Sequence, residues 1–125
     1  MKMLHTCIRV MDLEKSIKFY TEVLGLEETR KKDHSDHGFV LVYLSDENKH
    51  YELELTYNIG QETSYEIGNG FSHTAVETSN LEEQHSRIKN LGYTVTDLKG
   101  LVGAPPNYFF VTDPDGYKVE IIRAK

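Results

Sequence analysis

His5-Thr6-Cys7-Ile8-Arg9-Val10-Met11-Asp12-Leu13-Glu14 returns 68 residues later as His73-Thr74-Ala75-Val76-Glu77-Thr78-Ser79-Asn80-Leu81-Glu82. Both copies begin with a strand-like stretch, whose side chains alternate between two faces, and both run through a polar residue into a helical stripe. A second echo closes each half. Leu53-Glu54-Leu55 returns as Val119-Glu120-Ile121, 66 residues on. The chain reads as one unit built twice, with a histidine near the start and a glutamate near the end of each copy.

Within the first copy, a strand over residues 3–10 puts Leu4, Thr6, Ile8 and Val10 on one face and His5, Cys7 and Arg9 on the other. Asp12 is placed to cap a helix on which Leu13, Ile17, Tyr20 and Leu24 share a face, and Gly25 stands where it ends. Further strands are expected over 26–32, 39–44 and 51–57, around polar turns at 32–38 and 45–50. The second copy repeats this order. A strand over 72–78 leads to Ser79-Asn80, which with Glu82 or Glu83 resembles a capping box. Leu81, His85, Ile88 and Leu91 then mark a helix face that stops at Gly92. Strands are expected at 93–98, 108–111 and 117–122, with Asp113-Pro114-Asp115-Gly116 turning the chain between the last two. The expected class is α+β, two tandem βαβββ units. The repeats fall at about 3–58 and 70–123 of a single domain over 1–125, joined by a polar linker from Asn58 to Gly70.

Bulk properties exclude more than they select. A length of 125 residues allows one or two small units. A net charge of −6 argues against nucleic acid or an anionic membrane as the main partner. The single cysteine, Cys7, rules out an internal disulfide framework and suits a reducing compartment. No apolar run approaches the roughly 18 residues of a membrane span, and Met1-Lys2-Met3-Leu4-His5 enters patterned sequence with no signal-like stretch. The expectation is a soluble, cytoplasmic protein.

A repeat that supplies His and Glu twice offers two nitrogens and two oxygens to one point. Alone, a histidine at a strand start is more often exposed or satisfied than a ligand, and a strand glutamate usually faces solvent. Four such residues in register-matched places read differently: His5, Glu54, His73 and Glu120 are the candidate ligands of one divalent ion. The donor set suits Ni, Co, Zn, Mn or Fe(II), and the absence of thiolate argues against a closed structural zinc site. Two carboxylates neutralise the charge, and an ion that prefers six ligands keeps two positions open, as catalysis requires. The other histidines compete poorly: His34 and His37 lie in a polar loop with Asp33 and Asp36, His50 in a turn, and His85 on a helix beside charged residues.

The order βαβββ twice with His/Glu/His/Glu resembles the vicinal oxygen chelate superfamily, with its glyoxalase/bleomycin-resistance-like fold, and more narrowly glyoxalase I (lactoylglutathione lyase). The resemblance covers essentially the whole chain. It is carried by Leu4-His5-Thr6, Phe19-Tyr20 through Leu24-Gly25, Glu54-Leu55-Thr56-Tyr57-Asn58, Gly70-Phe71-Ser72-His73 and Asp113-Pro114-Asp115-Gly116-Tyr117-Lys118-Val119-Glu120. The helix and Asp-Pro-Asp-Gly elements carry the fold, whereas Glu-Leu-Thr-Tyr-Asn points to glyoxalase I.

What the resemblance implies is isomerisation of the hemithioacetal of methylglyoxal and a thiol, normally glutathione, to the lactoyl thioester. Glu120 would be the base at C1, Glu54 a ligand that can share in proton return, and Arg9 and Asn58 contacts for the γ-glutamyl end of the thiol. It also implies Ni or Co as the activating metal, with Zn as an alternative, and a homodimer.

One region departs from the glutathione-using pattern. Ile67-Gly68-Asn69-Gly70 and Gly100 through Asn107 contain no basic residue, and Lys99 is the lysine nearest to them. Two rival readings share the scaffold. An acyl-CoA epimerase-like metal enzyme would place an amide where Glu54 stands, and a metal-free drug-sequestering protein would have lost the His/Glu set.

Overall fold

Asp12 caps the first helix as its position suggests: extended at φ −132° and ψ 102°, it accepts the Lys15 N–H at 3.1 Å. A computed structural model describes all the residues, Met1–Lys125. They divide into two compact units, Met1–Glu66 and Ile67–Lys125.

The first unit contains β1 (His5–Arg9), α1 (Leu13–Glu22), β2 (Glu27–His34), β3 (Phe39–Ser45) and β4 (Glu52–Asn58). Its sheet has the order β1-β4-β3-β2, with β1 parallel to β4 and the other pairs antiparallel. Alternation in β1 is as expected. Ile8 and Val10 go to the core with Val40, Val42, Leu44 and Leu55, beneath Phe19, Tyr20 and Val23 of the α1 region. Burial of side chains of this size stabilises by roughly 1.5–3 kcal/mol each. The buried stripe of α1 is Ser16, Phe19 and Tyr20; Leu13 and Ile17 are only half-buried, so the expected face is rotated by about one position. Gly25, at φ +70°, lets the chain leave the helix, its N–H bonding the Thr21 carbonyl at 3.1 Å. The expected polar turn at 32–38 is shorter: Lys32, Asp33 and His34 still pair with β3, leaving a one-turn 3₁₀ helix at Ser35–His37.

The second unit contains β5 (His73–Thr78), α2 (Leu81–Asn90), β6 (Tyr108–Thr112) and β7 (Lys118–Arg123). Its sheet runs β5-β7-β6, and β5 is again parallel to β7. The strand expected at 93–98 does not form. One isolated bridge forms there, Val95 to Val111, and another just beyond it, Lys99 to Tyr108. Backbone bonds from Thr96 to Phe110 and from Thr112 to Thr94 hold the segment beside β6, but Asp97 breaks the alternation that Tyr93 and Val95 begin. The capping box is absent as well: Asn80 is the N-cap residue of α2 but its side chain makes no capping bond. Leu81 and Ile88 are buried against Phe109, Val111, Val119 and Ile121, while Leu91 is exposed. The Asp-Pro-Asp-Gly turn forms as read. The buried Asp113 carboxylate accepts from the Asp115 and Tyr117 N–H groups at 2.9 and 2.8 Å, which locks β6 to β7. No helix is long and apolar enough to cross a membrane.

Candidate functional site

Residues paired across a sheet point to the same face, so the strand registers identify what surrounds each candidate side chain. In the first unit Cys7 pairs with Glu54 on one side, and Tyr43 pairs with Glu54 on the other. His5, Cys7 and Arg9 therefore share a face with Glu52, Glu54, Thr56 and Asn58, opposite the helix-covered core. His5 Nε2 lies 3.5 Å from Glu54 Oε2. Tyr43 donates its hydroxyl to the other oxygen, Oε1, at 2.6 Å, and its ring stands edge-on to the His5 ring with centroids 5.7 Å apart.

A polar chain fixes that tyrosine. The Arg30 guanidinium lies 3.8 Å over the Tyr43 ring, and Glu52 holds Arg30 at 2.9 Å. A β-bulge between Glu28 and Arg30 sets Thr29 apart from the ladder, and its hydroxyl donates to Glu52 at 2.5 Å. Burial, followed by the neighbouring Glu54, pushes the Tyr43 hydroxyl up to about 12, so it remains a donor. Burial also pushes the Glu54 carboxyl upward, but hydrogen bonds from Tyr43 and Cys7 and the charges of His5 and Arg30 outweigh it and leave Glu54 below its ordinary value.

The second unit repeats the pair. His73 Nε2 lies 3.1 Å from Glu120 Oε2, and Ser72 Oγ lies 2.7 Å from Nδ1 of the same ring. With Nδ1 protonated and donating to Ser72, Nε2 has its lone pair free to face the carboxylate side. Phe110 pairs with Glu120 in register and stands edge-on to His73 at 5.2 Å, in the place Tyr43 takes in the first unit. Neither unit gathers three or more His, Cys, Asp or Glu side chains that could hold a metal ion; each presents a His–Glu pair.

These pairs fit a divalent cation. Two ligands bonded at about 2.1 Å stand about 3.0 Å apart at a right angle and about 3.4 Å apart at a tetrahedral angle. The separations of 3.1 and 3.5 Å are of that size. The donors are imidazole nitrogen and carboxylate oxygen, with a buried or half-buried carboxylate in each pair.

The family model of the Glyoxalase/Bleomycin resistance protein/Dioxygenase superfamily matches residues 2–121. The chain belongs to that superfamily. Among curated members it is 42% identical to the lactoylglutathione lyase of Salmonella typhimurium (strain LT2), over all of this chain and 94% of that one. A solved structure of the trypanothione-dependent glyoxalase I of Leishmania major superposes with a TM-score of 0.84 at 38% identity, covering 98% of this chain and 86% of that one. Glyoxalase I of Zea mays gives 0.87 at 37% identity and 98% coverage; this chain spans 44% of the maize chain.

Arg9 is exposed on the His5 face, and Asn58 ends β4 on the same face with its amide donating to Tyr65 Oη at 3.1 Å. His85 bonds the Thr96 carbonyl at 2.8 Å and packs edge-on to Phe109, a structural role. His34 packs on Phe39, and His37 is exposed beside Asp36. Reading the sequence did not single out Tyr43, Cys7 or Ser72 as neighbours of the pairs. Aligning the two penultimate strands, Phe39–Ser45 with Tyr108–Thr112, would have set Tyr43 opposite Phe110 and drawn attention to the extra hydroxyl.

Proposed function

We propose that the chain is a metal-dependent glyoxalase I that converts the hemithioacetal of methylglyoxal and a low-molecular-weight thiol into the lactoyl thioester, detoxifying methylglyoxal. The observation that carries this reading is the twice-built His–Glu pair, at 3.5 and 3.1 Å, on the helix-free face of each unit. Its support from relatives is near 40% identity along the whole chain to lactoylglutathione lyases. In this reading His5, Glu54, His73 and Glu120 hold one divalent ion, nickel or cobalt, with zinc as an alternative. A complete shell needs one pair from each kind of unit, within one chain or across a homodimer, and we take the homodimer, working in the cytoplasm, as the assembly.

A bound divalent ion lowers the cost of negative charge developing on the two neighbouring substrate oxygens. The chain's residues do the rest. Glu120 takes the proton from C1 of the hemithioacetal, leaving an enediolate; return of a proton to C2, with the C1 hydroxyl proton passing to the C2 oxygen, gives the thioester. Glu54 remains in place as a ligand. Arg9 and Asn58, on the face that carries His5 and Glu54, take the carboxylate and amide groups of the thiol's γ-glutamyl end, a match for a guanidinium fork.

Glutathione is the thiol of first choice. The stretches at 67–70 and 100–107 carry no basic side chain for its glycine carboxylate. The Leishmania relative is trypanothione-dependent, so members of this similarity use more than one thiol.

The test is thioester formation by metal-stripped protein supplied with methylglyoxal, glutathione and, in turn, nickel, cobalt or zinc. Metal-dependent growth of the thioester absorbance is expected. Stoichiometric metal binding without turnover would move the reading to another thiol or to an epimerase-like reaction. Absence of metal binding would favour ligand sequestration.

A further inference from the structure

We propose that Tyr43 is a positioning residue that tethers Glu54, and that Phe110, at the matching register position of the second unit, leaves Glu120 as the carboxylate able to move. The inference rests on the glyoxalase reading above and concerns how two equivalent carboxylates come to have unequal roles.

The two pairs are built alike. In each, an aromatic ring from the neighbouring antiparallel strand stands edge-on to the histidine, at 5.7 Å for Tyr43 and 5.2 Å for Phe110. In each, the glutamate sits in register between that aromatic residue and a residue of the first strand. The flanking residues are Tyr43 and Cys7 for Glu54, and Phe110 and Ala75 for Glu120. The backbone frame is repeated; the chemistry on either side of the carboxylate is not. Glu54 receives the Tyr43 hydroxyl at 2.6 Å on Oε1 and has Cys7 as its neighbour in register, while Oε2 faces His5. Glu120 has His73 at 3.1 Å on Oε2, and both lateral neighbours lack a donor side chain.

This difference bears on proton transfer. A carboxylate bound to a cation is a weak base and must loosen to accept a proton from carbon. A phenol bonded to its second oxygen resists that swing, because moving the carboxylate would strand a buried hydroxyl. The tether is itself braced. Tyr43 is buried, its ring is covered by Arg30, and Arg30 is held by Glu52, which also takes the Thr29 hydroxyl. At Glu120 nothing comparable restrains the second oxygen. The side chain is half-buried and can rotate with a single partner to leave.

The experiment uses the nickel-loaded full chain, with Tyr43→Phe and Phe110→Tyr made separately. Nickel release to excess chelator and steady-state isomerisation are both measured, and metal-free unfolding midpoints report any general loss of structure. Tyr43→Phe is expected to release nickel about 10–100-fold faster, the usual size of a lost outer partner of a metal ligand, with kcat changed much less. Phe110→Tyr is expected to keep nickel at least as well and to lose about 10–100-fold in kcat, because its new hydroxyl restrains the base. Release from Tyr43→Phe at the wild-type rate, with only a lower unfolding midpoint, would make Tyr43 merely structural and overturn the tether. Undiminished kcat in Phe110→Tyr would overturn the assignment of mobility. A wild type that binds nickel but does not turn over would overturn the glyoxalase reading alone, with the release rates still deciding the tether. A wild type that binds no nickel overturns both.

Discussion

His73 and Glu120 face each other at 3.1 Å, and the imidazole is held from behind by Ser72 at 2.7 Å, so its far nitrogen has one direction to look. The carboxylate opposite has freedom that the ring lacks, since β7 fixes its backbone and leaves its side chain half-buried. Replacing Glu120 by Gln keeps the shape and removes the proton acceptor. Isomerisation is expected to fall by about 10²–10⁴-fold, the usual share of a general base. Initial rates of thioester formation check this, and undiminished turnover would remove Glu120 from the role.

Removal of the metal should be seen in stability as well as in rate. A ligand that binds only the folded chain stabilises it by about 2.7 kcal/mol at a free concentration of 100 times Kd. The metal-stripped protein is therefore expected to melt lower, by an amount that grows with added nickel, and Glu54→Gln together with Glu120→Gln should abolish the increment. Calorimetry at several nickel concentrations gives the readout. An increment that persists in the double variant would place the metal elsewhere.

How much of this was legible in the sequence follows from which residues are governed by local pattern. Alternation over His5–Val10 placed His5, Cys7 and Arg9 on the face away from the core, and the Asp113 turn set the frame that brings Phe110 beside Glu120. Segments whose structure depends on tertiary partners were less readable. Residues 93–98 look like a strand yet contain a single isolated bridge, at Val95, and the face of α1 is decided by Phe19 and Tyr20 packing on the sheet rather than by Leu13 and Ile17. The hydroxyl of Tyr43 became meaningful only once the β3–β4 register set it beside Glu54. Arg30 was hidden because a bulge, invisible to a period-two pattern, turns it onto that ring.

His85 separates a structural histidine from a metal ligand. Its Nε2 is engaged with the Thr96 carbonyl at 2.8 Å and its ring meets Phe109, a fully buried residue. His85→Ala is expected to cost about 0.5–1.5 kcal/mol from the hydrogen bond, with a further loss from packing, in a denaturant titration. Nickel stoichiometry should stay the same. A variant that lost the metal while holding its stability would show that His85 had been misassigned.

Acid should weaken one identifiable link in the second unit. Arg123 grips Glu82, in the first turn of α2, with both terminal nitrogens and also bonds the Pro106 carbonyl at 2.9 Å, so it joins helix, loop and last strand. Hydrogen bonding from Arg123 holds the Glu82 carboxyl below its ordinary value of 4.5. A carboxylate whose folded value is depressed contributes its stabilisation above the unfolded value and loses it as the pH falls through the folded one. Glu82→Gln in metal-free protein should therefore melt below the wild type at neutral pH, and the gap should close as the pH drops beneath 4.5. The pair is exposed, so the neutral-pH gap is small and should narrow further with added salt. Melting curves across that pH range decide it, because a gap that stayed constant would assign the loss to packing of the longer Glu82 contacts and not to their charge.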